Sequence, residues 1–133
     1  AKGRWKDYYR RWSSVTLDEL DVGMLDLVAP LAAIAGPGSI VDKETYSIFG
    51  SPAFAARSQG SDIDTLIFSG VETDVCVYAS VLDAVDAGYR VILAKDALAS
   101  GDMKAHAMVI DILAARLTEQ IEILSTETIL NLW

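Results

Sequence analysis

Two residues of this chain combine a reactive side chain with a position that suits chemistry, Cys76 and Lys43. Cys76 lies two or three residues inside the predicted N-terminus of a helix that follows an apolar strand at residues 66–69. The amides and dipole of a helix N-terminus favour a thiolate, and such a turn could also hold a developing oxyanion. Lys43 directly follows a predicted strand end, where an ammonium group could stabilise that thiolate or shuttle a proton.

Each residue also has a plainer interpretation. Cys76, the only cysteine of the chain, could be a small apolar core residue. Lys43 could be a solvated lysine paired with Asp42 or Glu44. Position alone leaves both alternatives open.

The predicted positions of two further polar residues, Asp96 and His106, favour structural roles. Asp96 follows another predicted strand end, where it could cap the turn at residues 97–100 instead of taking part in chemistry. His106 lies four residues after Asp102 on a predicted helix, which favours a helix-surface or interface position over a role as a base.

The elements that carry these residues follow from apolar periodicity and capping signals. In the first half we predict a helix over residues 16–34 with Thr16 as its N-cap, a short strand at 39–42, and a helix over 51–60. In the second half we predict strands at 65–68, 90–94 and 119–124, and helices at 74–87, 103–117 and 126–133.

This alternation predicts a three-layer α/β/α, Rossmann-like domain with a mostly parallel sheet. Ligands of such sheets lie at the carboxyl ends of the strands. The expected site is therefore made by Lys43, residues 71–76 and the segment after Asp96.

Composition narrows the class of protein. The 133 residues, 52% of them hydrophobic, predict one folded domain over residues 1–133. A net charge of −8 opposes binding to nucleic acid, although residues 1–15 form a basic, aromatic arm. One histidine and one cysteine exclude a multi-histidine or all-cysteine metal centre within the chain. No apolar run is long enough to span a membrane, and we expect a cytoplasmic protein.

Two motifs resemble the isochorismatase-like cysteine hydrolase family. The first is SGVETDVCV at residues 69–77, followed by AVDAGYRVILA at 84–94. The second is VDKETYSIF at residues 41–49, which looks like the lysine motif of that family. The resemblance extends over essentially the whole chain.

The resemblance implies an amidohydrolase acting on a small amide or N-carbamoyl compound through an Asp-Lys-Cys triad. Cys76 would be the nucleophile and would form a thioester, and Lys43 would stabilise charge. A cis peptide bond would join Val71 to Glu72, and the N–H groups of Glu72 and Cys76 would form the oxyanion hole. Candidates for the substrate pocket are Tyr46, Phe49 and Thr73.

One part of the family pattern is missing. The triad aspartate normally ends a first, interior β-strand, and no such strand precedes Lys43. We expect either that a missing N-terminal segment or another chain supplies this aspartate, or that the chain is a degenerate homologue serving as a binding or oligomeric scaffold.

The resemblance also bears on cofactors and assembly. Nicotinamidase-type members hold a metal with an aspartate and several histidines upstream of the lysine. No histidine precedes His106 in this chain, so only a missing segment could hold that set, and we expect no metal and no other cofactor in the chain itself. The family commonly forms dimers or tetramers, which predicts a homo-oligomer.

Overall fold

A computed structural model describes residues 2–36, 38–58 and 61–133. The chain divides into two compact units, residues 1–40 and 41–133. The first unit contains helix α1 (Trp5–Arg11), a 3-10 turn (Ser13–Val15) and helix α2 (Ala29–Ile34). None of its described residues is buried.

The second unit contains the sheet and the remaining helices. Its strands are β1 (Thr65–Gly70), β2 (Arg90–Leu98) and β3 (Ile121–Leu124). Its α-helices are α3 (Pro52–Ser58), α4 (Tyr78–Asp86), α5 (Met103–Met108) and α6 (Thr126–Leu132). A 3-10 turn (Ile48–Gly50) precedes α3, a π-helical turn (Thr73–Val77) leads into α4, and one π and one 3-10 segment (Val109–Leu113, Ala114–Arg116) continue α5.

The three described strands form a parallel sheet in the order β1-β2-β3. Thr65 pairs with Arg90, and Val91 pairs with Ile121, so β2 is the central strand. Residues 91–94 of β2 are all buried, as expected for a strand covered on both faces.

Alternate residues of β2 face two apolar clusters. Val91 and Leu93 pack with Val81 and Ala84 of α4. Ile92 and Ala94 pack instead with Ile129 of α6. Because successive side chains of a strand point to opposite faces, helices cover both faces of the sheet. The predicted α/β fold with a parallel sheet is confirmed.

Two predictions for the first half of the chain are wrong. The helix predicted over residues 16–34 is reduced to α2, because Gly23 adopts a left-handed φ of 86° and Pro30 lies at the start of α2. The strand predicted at 39–42 is an irregular segment, since no described strand hydrogen-bonds to it.

The remaining elements lie close to their predicted positions. β1 and β2 run further than predicted, to Gly70 and Leu98. The helix predicted over 51–60 is present as α3, and residues 59–60 lie outside the described residues. In the described parts of the chain, no helix is both long and apolar enough to cross a membrane.

Candidate active site

Cys76 lies in a tight turn between β1 and α4. β1 ends at Gly70, which has a left-handed φ of 101°, and the following Val71–Glu72 peptide bond is cis. The π-helical turn that contains Cys76 begins one residue later. The carbonyl of Glu72 accepts hydrogen bonds from the N–H groups on either side of Cys76, those of Val75 (3.2 Å) and Val77 (3.1 Å). Cys76 is half-buried and is not part of a disulfide.

The loop after β2 binds this turn. Thr73 donates its backbone N–H (3.0 Å) and its hydroxyl (3.0 Å) to the carbonyl of Ala99. The same hydroxyl oxygen lies 2.9 Å from Nδ1 of His106. Gly101 donates its N–H to Oε1 of Glu72 over 3.3 Å. The segments that follow β1 and β2 are therefore joined by four polar contacts at the carboxyl edge of the sheet.

Lys43 is exposed and lies in the segment of residues 42–51, called the Lys43 loop below, whose shape is set by hydrogen bonds within the segment. Its Nζ donates to the carbonyl of Thr45 over 2.8 Å. The expected alternative, a pair with Asp42 or Glu44, is not formed between these described residues. At the far end of the loop, Ser51 donates its hydroxyl to the carbonyl of Asp42 over 3.1 Å.

Ser80 joins the Lys43 loop to the Cys76 turn. Its hydroxyl accepts the backbone N–H of Ile48 (3.0 Å) and donates to the carbonyl of Cys76 (2.7 Å). Ser80 is only 4% exposed, so both bonds are shielded from water. Sequence reasoning missed this residue, because a serine in the helix after Cys76 gives no sign of a partner 32 positions away.

The three predicted pocket residues lie in different surroundings. Tyr46, in the Lys43 loop, is 45% exposed. Phe49 packs edge-on against Phe54, with ring centroids 5.0 Å apart, and borders the main core cluster. Thr73 has no exposed surface, and its hydroxyl serves hydrogen bonds within the protein.

Asp96 has a structural partner in α6. Its carboxylate accepts the backbone N–H of Thr126 (2.7 Å) and also the hydroxyl of that residue. Both bonds lower the pKa of Asp96 below its ordinary value, and the bond from the hydroxyl has the larger effect. The prediction that Asp96 follows a strand end and caps the turn at 97–100 is wrong, because β2 continues to Leu98 and the carboxylate supports the start of α6 instead. The residue after β2, Ala99, is held by its bonds from Thr73.

The described residues do not fit a metal centre. Nowhere in residues 2–36, 38–58 and 61–133 do three or more histidine, cysteine, aspartate or glutamate side chains come together as a ligand set. His106, the single histidine, contacts Thr73 through Nδ1.

Comparison with known proteins identifies the family to which this chain belongs. The solved structure of an isochorismatase-like hydrolase from Alkaliphilus metalliredigens superposes with a TM-score of 0.62 at 26% identity, over 71% of this chain and 50% of that one. The isochorismatase domain model matches residues 2–125. The chain belongs to the isochorismatase family, as its two motifs predicted.

Two curated relatives match part of the chain. An uncharacterised isochorismatase family protein of Bacillus subtilis is 33% identical over 67 residues, 50% of this chain. Nicotinamidase 3 of Arabidopsis thaliana is 29% identical over 73 residues, 55% of this chain. Each match spans 37% of the relative's own length, so little more than a third of either protein is matched by this chain.

Proposed function

We propose that this chain is the cysteine- and lysine-bearing part of a hydrolase that cleaves a small amide or N-carbamoyl compound. The observation that carries the proposal is the placement of Cys76, half-buried in the turn at the carboxyl end of β1 and joined through Ser80 to the loop of Lys43. A relative that is named a nicotinamidase supports an amide as the substrate class.

The proposed reaction has two stages. The thiolate of Cys76 attacks the carbonyl carbon, and the N–H groups of Glu72 and Cys76 receive the charge that develops on oxygen. The C–N bond then breaks, the leaving nitrogen takes the proton that the general base removed from the Cys76 thiol and departs as ammonia or an amine, and a thioester remains. Water attacks that thioester, the C–S bond breaks, and the acid product and free thiol are released. Lys43 stabilises the thiolate and the negative charge of the transition state.

The general base of this scheme is proposed to come from outside the chain. Asp96 is engaged with Thr126, Asp102 caps α5, and Glu72 and Asp74 belong to the Cys76 turn itself. Among the described strands, β1 pairs on one edge only. We propose that a further segment or chain adds a strand there and supplies an aspartate. This proposal agrees with the matches to the two curated relatives, each of which spans only 37% of the relative's own length.

The first test is chemical and needs no knowledge of the substrate. The rate of alkylation of Cys76 by iodoacetamide at neutral pH should far exceed that of free cysteine, because a stabilised thiolate is the reactive form. Since the chain has a single cysteine, alkylation measured by mass reports this residue alone. A rate equal to that of free cysteine would contradict the proposal.

The second test measures turnover on a panel of small amides and N-carbamoyl compounds. Ammonia release by the protein containing the proposed aspartate segment should disappear in Cys76→Ala. Undiminished release by Cys76→Ala would exclude the thioester route.

The second candidate function is a binding or oligomeric scaffold of the same fold. It is favoured by one observation, that the described residues contain no strand ending in an aspartate before Lys43. The intact mass of every polypeptide in the purified material separates the two. A second peptide with an apolar strand ending in aspartate favours the hydrolase, whereas a single 14.4 kDa species with an unreactive Cys76 favours the scaffold.

A further inference from the structure

The only histidine of the chain contacts the buried start of the Cys76 turn. Thr73 has no exposed surface, and Nδ1 of His106 lies 2.9 Å from its hydroxyl oxygen. The backbone of Thr73 fixes the turn at both ends. Its N–H ties the start of the turn to the carbonyl of Ala99, and its carbonyl accepts the N–H of Tyr78, the residue that follows the turn. Cys76 lies between these two anchor points.

The proton count of Thr73 assigns the tautomer of His106. A hydroxyl has one proton to donate and two lone pairs that can accept. If that proton goes to the carbonyl of Ala99, 3.0 Å away, the oxygen is left to accept a proton from Nδ1 of His106. This arrangement satisfies both contacts, whereas a hydroxyl turned towards the ring would leave the Ala99 carbonyl with the Thr73 N–H alone.

His106 is itself held in place by the start of α5. Its backbone N–H donates to the carbonyl of Asp102 over 3.0 Å. The carboxylate of Asp102 caps the helix by accepting the N–H groups of Lys104 (2.8 Å) and Ala105 (3.2 Å). The ring thus belongs to a capped helix that is distinct from the turn it contacts.

We infer that His106 is a positioning residue for the Cys76 turn, which it holds by donating its Nδ1–H to the hydroxyl of Thr73. The effect of His106 on the reactivity of Cys76 rests on the proposed function, since the fixed turn is what holds Cys76 in a reactive position. It goes beyond that function by assigning a role and a proton position to a residue outside the reacting groups.

The first experiment measures the tautomer directly. Since the chain contains one histidine, its ring nitrogens give a single pair of ¹⁵N resonances in the unaltered 133-residue chain. In the neutral ring, the expected signature is a protonated Nδ1 and an unprotonated Nε2. The opposite tautomer would overturn the inference.

The second experiment uses two substitutions that differ in where they place a nitrogen. The side-chain amide of asparagine can occupy roughly the place of Nδ1, whereas the amide of glutamine reaches towards that of Nε2. We expect the alkylation rate of Cys76 to fall about fivefold or more in His106→Ala and His106→Gln, and to stay within about twofold of the original in His106→Asn, as for groups in one hydrogen-bond network. Equal rates in the asparagine and glutamine variants would overturn the inference.

A double-variant cycle tests the partner and guards against loss of folding. Thr73→Val keeps the shape of the side chain and removes the hydroxyl, so Thr73→Val/His106→Ala should react no more slowly than Thr73→Val alone. Urea unfolding of each variant shows which of them are folded. If Cys76 of the unaltered chain reacts no faster than free cysteine, the proposed function fails, and the tautomer still decides the role of His106.

Discussion

Lys43 is held by a main-chain carbonyl instead of a carboxylate. Its Nζ donates to Thr45 over 2.8 Å, and the side chain is exposed. An ammonium group bonded to a neutral oxygen keeps its full charge for other anions, whereas an ion pair would offset it. This arrangement suits the role proposed for Lys43, which is to stabilise a thiolate or a developing oxyanion.

Removing the charge of Lys43 should therefore slow the reaction of Cys76. We expect Lys43→Met to lower the alkylation rate about threefold or more at low ionic strength, and the difference to shrink as salt screens the interaction. Lys95→Met is the matched control, because Lys95 is an exposed lysine of β2. An equal fall in both variants would mean that only the net charge matters.

Among the elements, the 3-10 turn at Ile48–Gly50 and helix α4 are joined by one buried hydroxyl. Ser80→Ala would leave the N–H of Ile48 and the carbonyl of Cys76 without this partner. We expect a loss of about 1 to 2 kcal/mol in the free energy of unfolding, measured in urea.

The control for Ser80→Ala is Ser58→Ala. Among the described residues, the hydroxyl of Ser58 donates to the carbonyl of Ala55 within its own helix, over 3.2 Å, and to no other element. A much smaller loss is expected there, since this bond joins no separate elements. Equal losses in the two variants would contradict the role assigned to Ser80.

The contact between β2 and α6 predicts a dependence on pH. The pKa of Asp96 is lowered by its bonds from Thr126, so the folded state binds a proton at this carboxylate less readily than the unfolded chain does. Stability from this contact is present above the ordinary pKa of 3.8 and is lost as the pH falls through the lower folded value. In Asp96→Asn, the free energy of unfolding should therefore fall less steeply as the pH is lowered through the acid range, measured by urea unfolding at each pH.

The matched control for Asp96→Asn is Asp83→Asn. Asp83 is an exposed carboxylate of α4 with no side-chain hydrogen bond to any described residue. In Asp83→Asn, the free energy of unfolding should fall as steeply as that of the unaltered chain. If both variants reduce the steepness equally, the dependence comes from net charge and not from the contact with α6.

How far the elements could be predicted depended on how local their causes were. The apolar run of β2 and the glycine at 88, with a left-handed φ of 86°, carry their own signals. Residues 16–28 satisfied a helical spacing, but Gly23 interrupts it. The Cys76 motif indicated the proposed nucleophile, yet the contacts of Ser80 and His106 join residues 32 and 33 positions apart, which only the folded chain brings together.

At the scale of the whole molecule, the two units differ in charge and in burial. The first unit, residues 1–40, holds five basic and five acidic residues, so the net charge of −8 lies entirely in residues 41–133. All buried residues of the described chain also lie in the second unit. The first unit exposes a series of large apolar side chains instead, among them Leu17, Val22, Leu25 and Ile34.

This division predicts what removal of residues 1–40 would do. Because the buried apolar surface that stabilises the fold belongs to the second unit, a chain of residues 41–133 should unfold cooperatively, with a free energy within about 1 kcal/mol of the whole chain. The urea m value should fall only slightly, since it scales with the surface exposed on unfolding. Loss of the cooperative transition would mean instead that the first unit completes the core, and the exposed apolar residues of that unit would then be the first to substitute.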